Sequence, residues 1–283
     1  EGIDEWDVTG SRAAIHEFVQ ENMPKTMKTT ATDGDSGTHE GQARDELTIV
    51  DVIEYTGLVP GNEYTVSGTL MDKATGEAAL DDDGSDITAQ TTFTAEDTCG
   101  TVEVTFTFKG SSLAGKSLVA FESMEYLDAE YMVHADIDDV DQTVAIVDIA
   151  TQAHDVATGN NEGTVGEGVK LIDTVAYTGL TPGNTYRLFT TLIDKATGAA
   201  LTGEDGLPLV GMMQFTAEDA DGTVDVEVSL DTTELAGHDI VFFEKLADEQ
   251  ENVDATHEDI DDEGQTVSIP AEDVPGKGYP KTG

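Results

Sequence analysis

The sequence predicts an all-β chain, two immunoglobulin-like β-sandwiches in tandem and arranged as a rod. Three observations predict it. The same long passage occurs twice, displaced by 122 positions between Thr29 and Thr151. Within each copy, short alternating segments are broken by Gly, Pro and Asn turn signals. The copies also follow one another with almost no linker, near Val147. Seven or so short strands in about 120 residues fit a sandwich, and helix content should be low.

Residues 1–26 have no later counterpart and read as the remnant of an upstream domain or an adaptor. Thr9 or Ser11 is placed to cap a short helix there, with Ala14, Ile15, Phe18 and Val19 as its apolar stripe and Pro24 as its stop. The first sandwich is assigned to 27–146 and the second to 147–270, leaving 271–283 as a flexible tail. Leu47 to Tyr55 alternates inward and outward, as does Val169 to Tyr177. Tyr64 to Leu70 corresponds to Tyr186 to Leu192, and each leads into an Asp-Lys-Ala-Thr-Gly hairpin turn at Asp72–Gly76 and Asp194–Gly198. Further strands follow through Val102, Val104 and Phe106 against Val224, Val226 and Val228. Leu118 to Glu122 and Ile240 to Glu244 are apolar strands ending on a carboxylate, and the closing strands begin near Gln142 and Gln265.

Composition narrows the function. Lys plus Arg number 13 against 59 Asp plus Glu, a formal net charge of -46. That charge opposes binding to nucleic acid or an anionic membrane and favours a soluble monomer. Cys99 is the only cysteine, so an intrachain disulfide is impossible. No 18-residue apolar run marks a membrane span. No signal peptide is visible, which leaves a cytoplasmic chain or a mature fragment.

A dispersed reactive set recurs with the repeat. It is Thr29, Asp51, Glu122, His134 and Gln142 in the first copy, and Thr151, Asp173, Glu244, His257 and Gln265 in the second. Threonine and aspartate are 22 positions apart in both copies, aspartate and glutamate 71, histidine and glutamine 8. Of six histidines, only His134 and His257 correspond. Asp51 sits between Ile49 and Ile53, and Asp173 between Leu171 and Val175, on strand faces that otherwise read as core. Sandwich topology commonly brings first and last strands side by side, so each threonine hydroxyl can meet a glutamine carboxamide. The histidine is suited to accept the threonine proton. Two buried carboxyls in contact share a proton, which can polarise the glutamine carbonyl or help ammonia depart. The expected product is one Thr–Gln side-chain ester per domain, made once and without turnover, so the protein should not be an enzyme. Among the abundant acids, Asp33 with Asp155 and Asp138 with Asp261 read as solvated-face residues.

These residues resemble the ester-bond domains, or VaFE repeats, of Gram-positive cell-wall-anchored adhesins. The naming tetrad is Val119-Ala120-Phe121-Glu122, varied to Val241-Phe242-Phe243-Glu244. Asp51-Val52-Ile53-Glu54-Tyr55 and Asp173-Thr174-Val175-Ala176-Tyr177 match a second motif, and His134 to Gln142-Thr143-Val144 with His257 to Gln265-Thr266-Val267 a third. The resemblance implies a pilin-type, CnaB-like sandwich in which Thr29 is esterified to Gln142 and Thr151 to Gln265. Histidine and the acid pair assist in each. It also implies an extracellular stalk on the cell wall, bearing an upstream head for an unknown host ligand. Tyr279-Pro280-Lys281-Thr282-Gly283 resembles a sortase signal, implying sortase and peptidoglycan or a pilus subunit as partners, with the acyl bond at Thr282. No cofactor is expected. Two alternatives remain: a calcium-stabilised adhesion module using Asp81-Asp82-Asp83-Gly84-Ser85-Asp86, and a Lys–Asn isopeptide pilin domain using Lys73 and Lys195, which sit in polar turns.

Overall fold

The computed structural model describes residues 23–203 and 205–271. The expected helix at 9–19 and the sorting motif at 279–283 lie outside them. Strands β1 (Thr26–Asp33), β2 (Glu40–Gln42), β3 (Leu47–Thr56), β4 (Glu63–Asp72), β5 (Thr88–Thr94), β6 (Cys99–Phe108), β7 (Ser117–Tyr126) and β8 (Ala129–His134) come first. Strand β9 (Thr143–Asp155) crosses the boundary between the two compact units, which falls between Val147 and Asp148. Then come β10 (Val169–Thr178), β11 (Thr185–Asp194), β12 (Ala199–Ala200), β13 (Val210–Thr216), β14 (Gly222–Leu230), β15 (Asp239–Asp248), β16 (Val253–His257) and β17 (Thr266–Ser268). Among the described residues the only helical pieces are single 3₁₀ turns at Gly110–Leu113 and Thr233–Leu235.

Each unit has two sheets. In the first, β1-β3-β6 faces a sheet in which the start of β9 pairs β7, followed by β4 and β5; β2 joins β9 and β8 joins β7. In the second, the end of β9 pairs β10 and then β14. The opposing sheet is β12-β11-β15-β16, with β13 on β11 and β17 on β15. Alternation explains the faces. Leu47, Ile49, Asp51, Ile53 and Tyr55 point inward from β3, and Val169, Leu171, Asp173, Val175 and Tyr177 from β10. The hairpin turns carry positive φ at Gly76 (71°) and Gly198 (68°), as the shared pentapeptide requires. The second strand of each β7–β8 and β15–β16 hairpin was not legible as a strand, because its outer face is polar and short.

The two cores fill the same space differently. Phe106 lies over Gly68, whose added Cβ would come within 2.5 Å of the ring. The corresponding positions of the second unit hold Val228 and Thr190, while Phe242, fully buried, stands where the first unit has Ala120. A ring lost on one sheet is regained on the other. Gly68→Thr should therefore overpack the first unit and cost about 1–3 kcal/mol. Adding Phe106→Val should recover part of that loss in urea unfolding; strictly additive losses would refute the shared-space account.

Candidate functional site

The strand faces that bury the cores also bury four polar side chains in each unit. Thr29 points inward from β1 in the sequence Thr29, Ala31, Asp33, and Ala31 is the ladder partner of Asp51 on β3. From the opposite sheet, Glu122 points inward from β7, and Gln142 immediately precedes β9. All four are at most 1% exposed. The second unit places Asp173 on β10, Glu244 on β15 and Gln265 before β17, each fully buried; the Thr151 hydroxyl on β9 is enclosed as well. His134 is the ladder partner of Glu122, and His257 of Glu244. Each unit thus gathers its five expected residues from both sheets.

First and last strands do meet, though not as ladder neighbours. β1 pairs with β3, and its link to the run-up of β9 is the Ala31 N–H donating to the Asp141 carbonyl at 2.9 Å. The second unit repeats this with Ala153 and Gly264 at 2.8 Å. The threonine and the glutamine accordingly belong to opposing sheets, and a bond between them spans the sandwich.

The acid pair lies against the amide. Gln142 Nε2 donates to Glu122 Oε2 at 2.6 Å, and Gln265 Nε2 to Glu244 Oε2 at 2.6 Å and to the His257 carbonyl at 3.3 Å. The other glutamate oxygen meets the aspartate, and neither it nor the aspartate oxygens have a donor until a proton is placed between the two acids. Burial, then the Asp51 charge, pushes Glu122 up to about 10; burial and Asp173 do the same to Glu244, also to about 10. Burial raises Asp51 as well, and lifts Asp173 to about 6, opposed in both by the paired glutamate and by the charge of the histidine. The peptide N–H groups of Thr30 and Gln152, each next to a reactive threonine, draw on Asp51 and Asp173 without full hydrogen-bond geometry. The hydroxyls of Thr29 and Thr151 and the Oε1 atoms of Gln142 and Gln265 have no hydrogen-bond partner.

Each histidine is anchored on a carboxylate. His134 Nε2 is 2.9 Å from Asp139 Oδ2, and His257 Nε2 is 2.9 Å from Asp262 Oδ2. His257 Nδ1 also lies 3.2 Å from the Ile149 carbonyl.

Sequence reading missed several of these partners. Asp139 and Asp262 occupy the same place in both copies, three residues before the glutamine, and that was the available signal. Thr190, opposite Glu244 in the β11–β15 ladder, adds a buried hydroxyl that lowers the Glu244 carboxyl and has no equivalent at Gly68. Asp33 and Asp155 are buried, contrary to the solvated-face reading. Asp33 Oδ2 accepts the Ser36 N–H at 2.8 Å, and Asp155 Oδ2 accepts the Thr164 N–H and hydroxyl at 2.7 and 2.8 Å, so each braces the loop after its unit's first strand. Asp138 and Asp261 are exposed as expected. In the acidic run, Asp81 Oδ1 accepts the Asp82 and Lys109 N–H groups and Asp83 Oδ1 accepts from Ser85, which ties these oxygens to the turn. Lys73 Nζ donates to the Thr143 hydroxyl at 3.1 Å.

Residues 25–146 and 147–269 each match the family described as T-Q ester bond containing domain. The chain belongs to that family. No curated protein matches it. Among solved structures it is similar to a bacterial adhesin from Mobiluncus mulieris containing intramolecular disulfide, isopeptide and ester bond cross-links. Identity is 13%, with 79% of this chain and 81% of that one covered and a TM-score of 0.37. It is also similar to the C-terminal domain of the Streptococcus agalactiae AgI/II polypeptide BspA, at 12% identity, 87% and 100% coverage and a TM-score of 0.35.

The raised glutamates set a pH dependence for an unlinked chain, Thr29→Ala with Thr151→Ala. Between the ordinary value of 4.5 and about 10, the folded state holds protons that the unfolded state has lost. Stability is then fully present below the unfolded value and declines as pH rises toward 10. Urea midpoints of this variant should fall from about pH 5 to about pH 9, and Glu122→Gln with Glu244→Gln should flatten the slope.

Proposed function

We propose that the chain is a stalk segment of a Gram-positive surface adhesin, with each unit closed by a Thr–Gln ester that its own side chains form once. The observation that carries this reading is the buried glutamine amide held at 2.6 Å by a proton-sharing acid pair, in both units. In the proposed reaction, Thr29 Oγ1 loses its proton to His134 and bonds to Gln142 Cδ. The Cδ–Nε2 bond then breaks, and the nitrogen leaves as ammonia with the proton from Glu122. His134 returns the proton to the acid pair, so atoms and charge balance. Thr151, Gln265, Glu244, Asp173 and His257 take the same parts. Of the two roles open to the shared proton, the amide placement favours the leaving group, because Nε2 and not Oε1 faces the glutamate. A dry site protects the ester from hydrolysis afterwards.

The stalk reading extends to the cell surface. Tyr279–Gly283 serves as the sorting signal, with sortase retaining Thr282 as an acyl enzyme before transfer to peptidoglycan or a pilus subunit. A segment upstream of the first unit supplies the host ligand site. The net charge of -46 suits a solvated monomer that repels its neighbours and leaves nucleic acid unbound.

Intact mass tests the chemistry directly. The wild-type chain should weigh two ammonias less than its sequence, Thr29→Ala and Thr151→Ala one less each, and the double variant none. An unshifted wild-type mass from folded protein would falsify the reading. Glu122→Gln should keep the fold yet leave the first unit open, seen as one missing ammonia loss and no Thr29–Gln142 cross-linked peptide. For the tail, sortase with a glycine nucleophile should release Gly283 from the wild type and not from Thr282→Ala.

A further inference from the structure

We propose that Thr190 is a positioning residue of the second unit, its hydroxyl donating to Glu244 as that acid passes its proton to the departing nitrogen of Gln265. The inference rests on the Thr–Gln reading above. It gives the second site a member that the first, with Gly68 at the same place, does not have.

The hydroxyl is buried among apolar neighbours with one acid beside it. Thr190 is the ladder partner of Glu244 across β11 and β15; both point inward and both are fully buried. Along β11 its inward neighbours are Leu188 and Leu192. Its partner on the other side is Gly211 of β13, which brings no side chain and whose position abuts Val226 and Val228 of β14. Glu244 is therefore the acceptor that these neighbours leave within reach. In the first unit the ring of Phe106 fills this space, and Val228 in its stead makes the room. Valine would fill that room as well as threonine and would bury no hydroxyl, so volume alone does not account for the oxygen.

The resting geometry suits a role during the reaction. Thr190 Oγ1 has no partner in full hydrogen-bond geometry. While Glu244 carries the shared proton its carboxyl is neutral and gains little from another donor. When the Cδ–Nε2 bond of Gln265 breaks, Glu244 gives its proton to the nitrogen and becomes a carboxylate, until His257 returns the proton taken from Thr151. A donor already fixed beside the charge that develops stabilises that step and not the start. Thr190 keeps its own proton throughout, so the balance of the reaction is unchanged. Burial and then Asp173 raise Glu244, whereas Gln265 and then Thr190 draw it down. The other titratable groups about the acid pair are His257, opposite Glu244 on β16, and His154 of β9, whose charge reaches Asp173.

Thr190→Val keeps the volume and removes the donor. The full chain, made by cell-free synthesis, is moved into buffers from about pH 6 to about pH 10, and both cross-linked peptides are quantified over time by mass spectrometry. The first unit is the clock in the same tube. At about pH 7, Thr190→Val should slow closure of the second unit by about 10-fold and leave the first unchanged. Without its donor Glu244 holds its proton to higher pH, so the alkaline limb of the second unit's closure should move upward. Thr190→Ser, which restores a hydroxyl, should return both rate and limb toward wild type. In the unlinked background of Thr29→Ala with Thr151→Ala, Thr190→Val should show a urea midpoint no lower than its parent, which separates slow closure from loss of fold. Closure at an unchanged rate in Thr190→Val overturns the inference, as does slowing with the limb unmoved, or slowing that Thr190→Ser shares in full. A midpoint that drops along with the rate marks a packing role and overturns it too. A wild-type chain that never loses ammonia would instead sink the underlying ester reading.

Discussion

One proton shared between two buried carboxyls is the constraint on which each unit depends. Two unit charges about 4 Å apart repel by about 4 kcal/mol at an effective dielectric of 20, before any cost of burial. Asp51 with Glu122, and Asp173 with Glu244, are therefore held as a singly protonated pair against the glutamine amide. A partly exposed histidine, held by its own aspartate at 2.9 Å, stands beside each pair. Before that proton is placed, the same five buried polar atoms are without hydrogen-bond partners in both sites, namely the threonine oxygen, both aspartate oxygens, one glutamate oxygen and the glutamine Oε1, and the second site adds the Thr190 hydroxyl. Each such atom costs about 1–3 kcal/mol. The separated side chains are thus an expensive arrangement, and joining the hydroxyl to the amide carbon removes the uncompensated hydroxyl donor while the glutamine Oε1 remains as the ester carbonyl oxygen.

The same placement determines what the bond does for the sandwich. Thr29 and Thr151 belong to the sheet built on β3 or β10, whereas Gln142 and Gln265 adjoin the sheet built on β7 or β15. Strand ladders hold each sheet together along hydrogen bonds, whereas side-chain packing, with a backbone contact such as Ala31 to Asp141, holds the two sheets to each other. The proposed ester between them would act at that weaker junction. It also encloses the chain from 29 to 142, a ring whose closure removes about 5 kcal/mol of unfolded-state entropy by analogy with a disulfide. Tension that enters on the first strand then passes to the last through a covalent bond and bypasses the ladders between them.

Much of this was legible in the sequence because the chemistry sits on regular strands. Asp51 and Asp173 betrayed themselves as carboxylates at inward positions of alternating segments, and the spacing of 8 between histidine and glutamine marked the third strand pair. What stayed hidden depends on tertiary contacts. Asp33 and Asp155 read as surface acids because nothing local says that a loop will fold back to give them N–H donors. Asp139 and Asp262 were visible only as part of an acidic frame. Their contacts appear when the chain before each glutamine brings one carboxylate between an imidazole and a peptide group. The first and last strands were expected side by side; the structure makes their meeting a crossing between sheets, a distinction that periodicity does not encode.

Divergence around the site separates its constraint from that of the fold. Gly68 is replaced by Thr190, Phe106 by Val228 and Ala120 by Phe242, and the Lys116–Asp72 ion pair at 2.7 Å becomes His238–Asp194 at 2.6 Å. A core tolerates such exchanges provided total volume is kept, and a surface pair provided charge is complemented. The threonine, aspartate, glutamate, histidine, glutamine and histidine-anchoring aspartate keep their identity, and the glutamine–glutamate and histidine–aspartate contacts recur at 2.6 and 2.9 Å. If these six were kept only to stabilise the sandwich, apolar replacements of similar volume would serve as well or better, because a buried acid pair is a poor source of stability. Their recurrence amid repacked neighbours is what the proposed reaction, which draws on all six side chains at one place, would require.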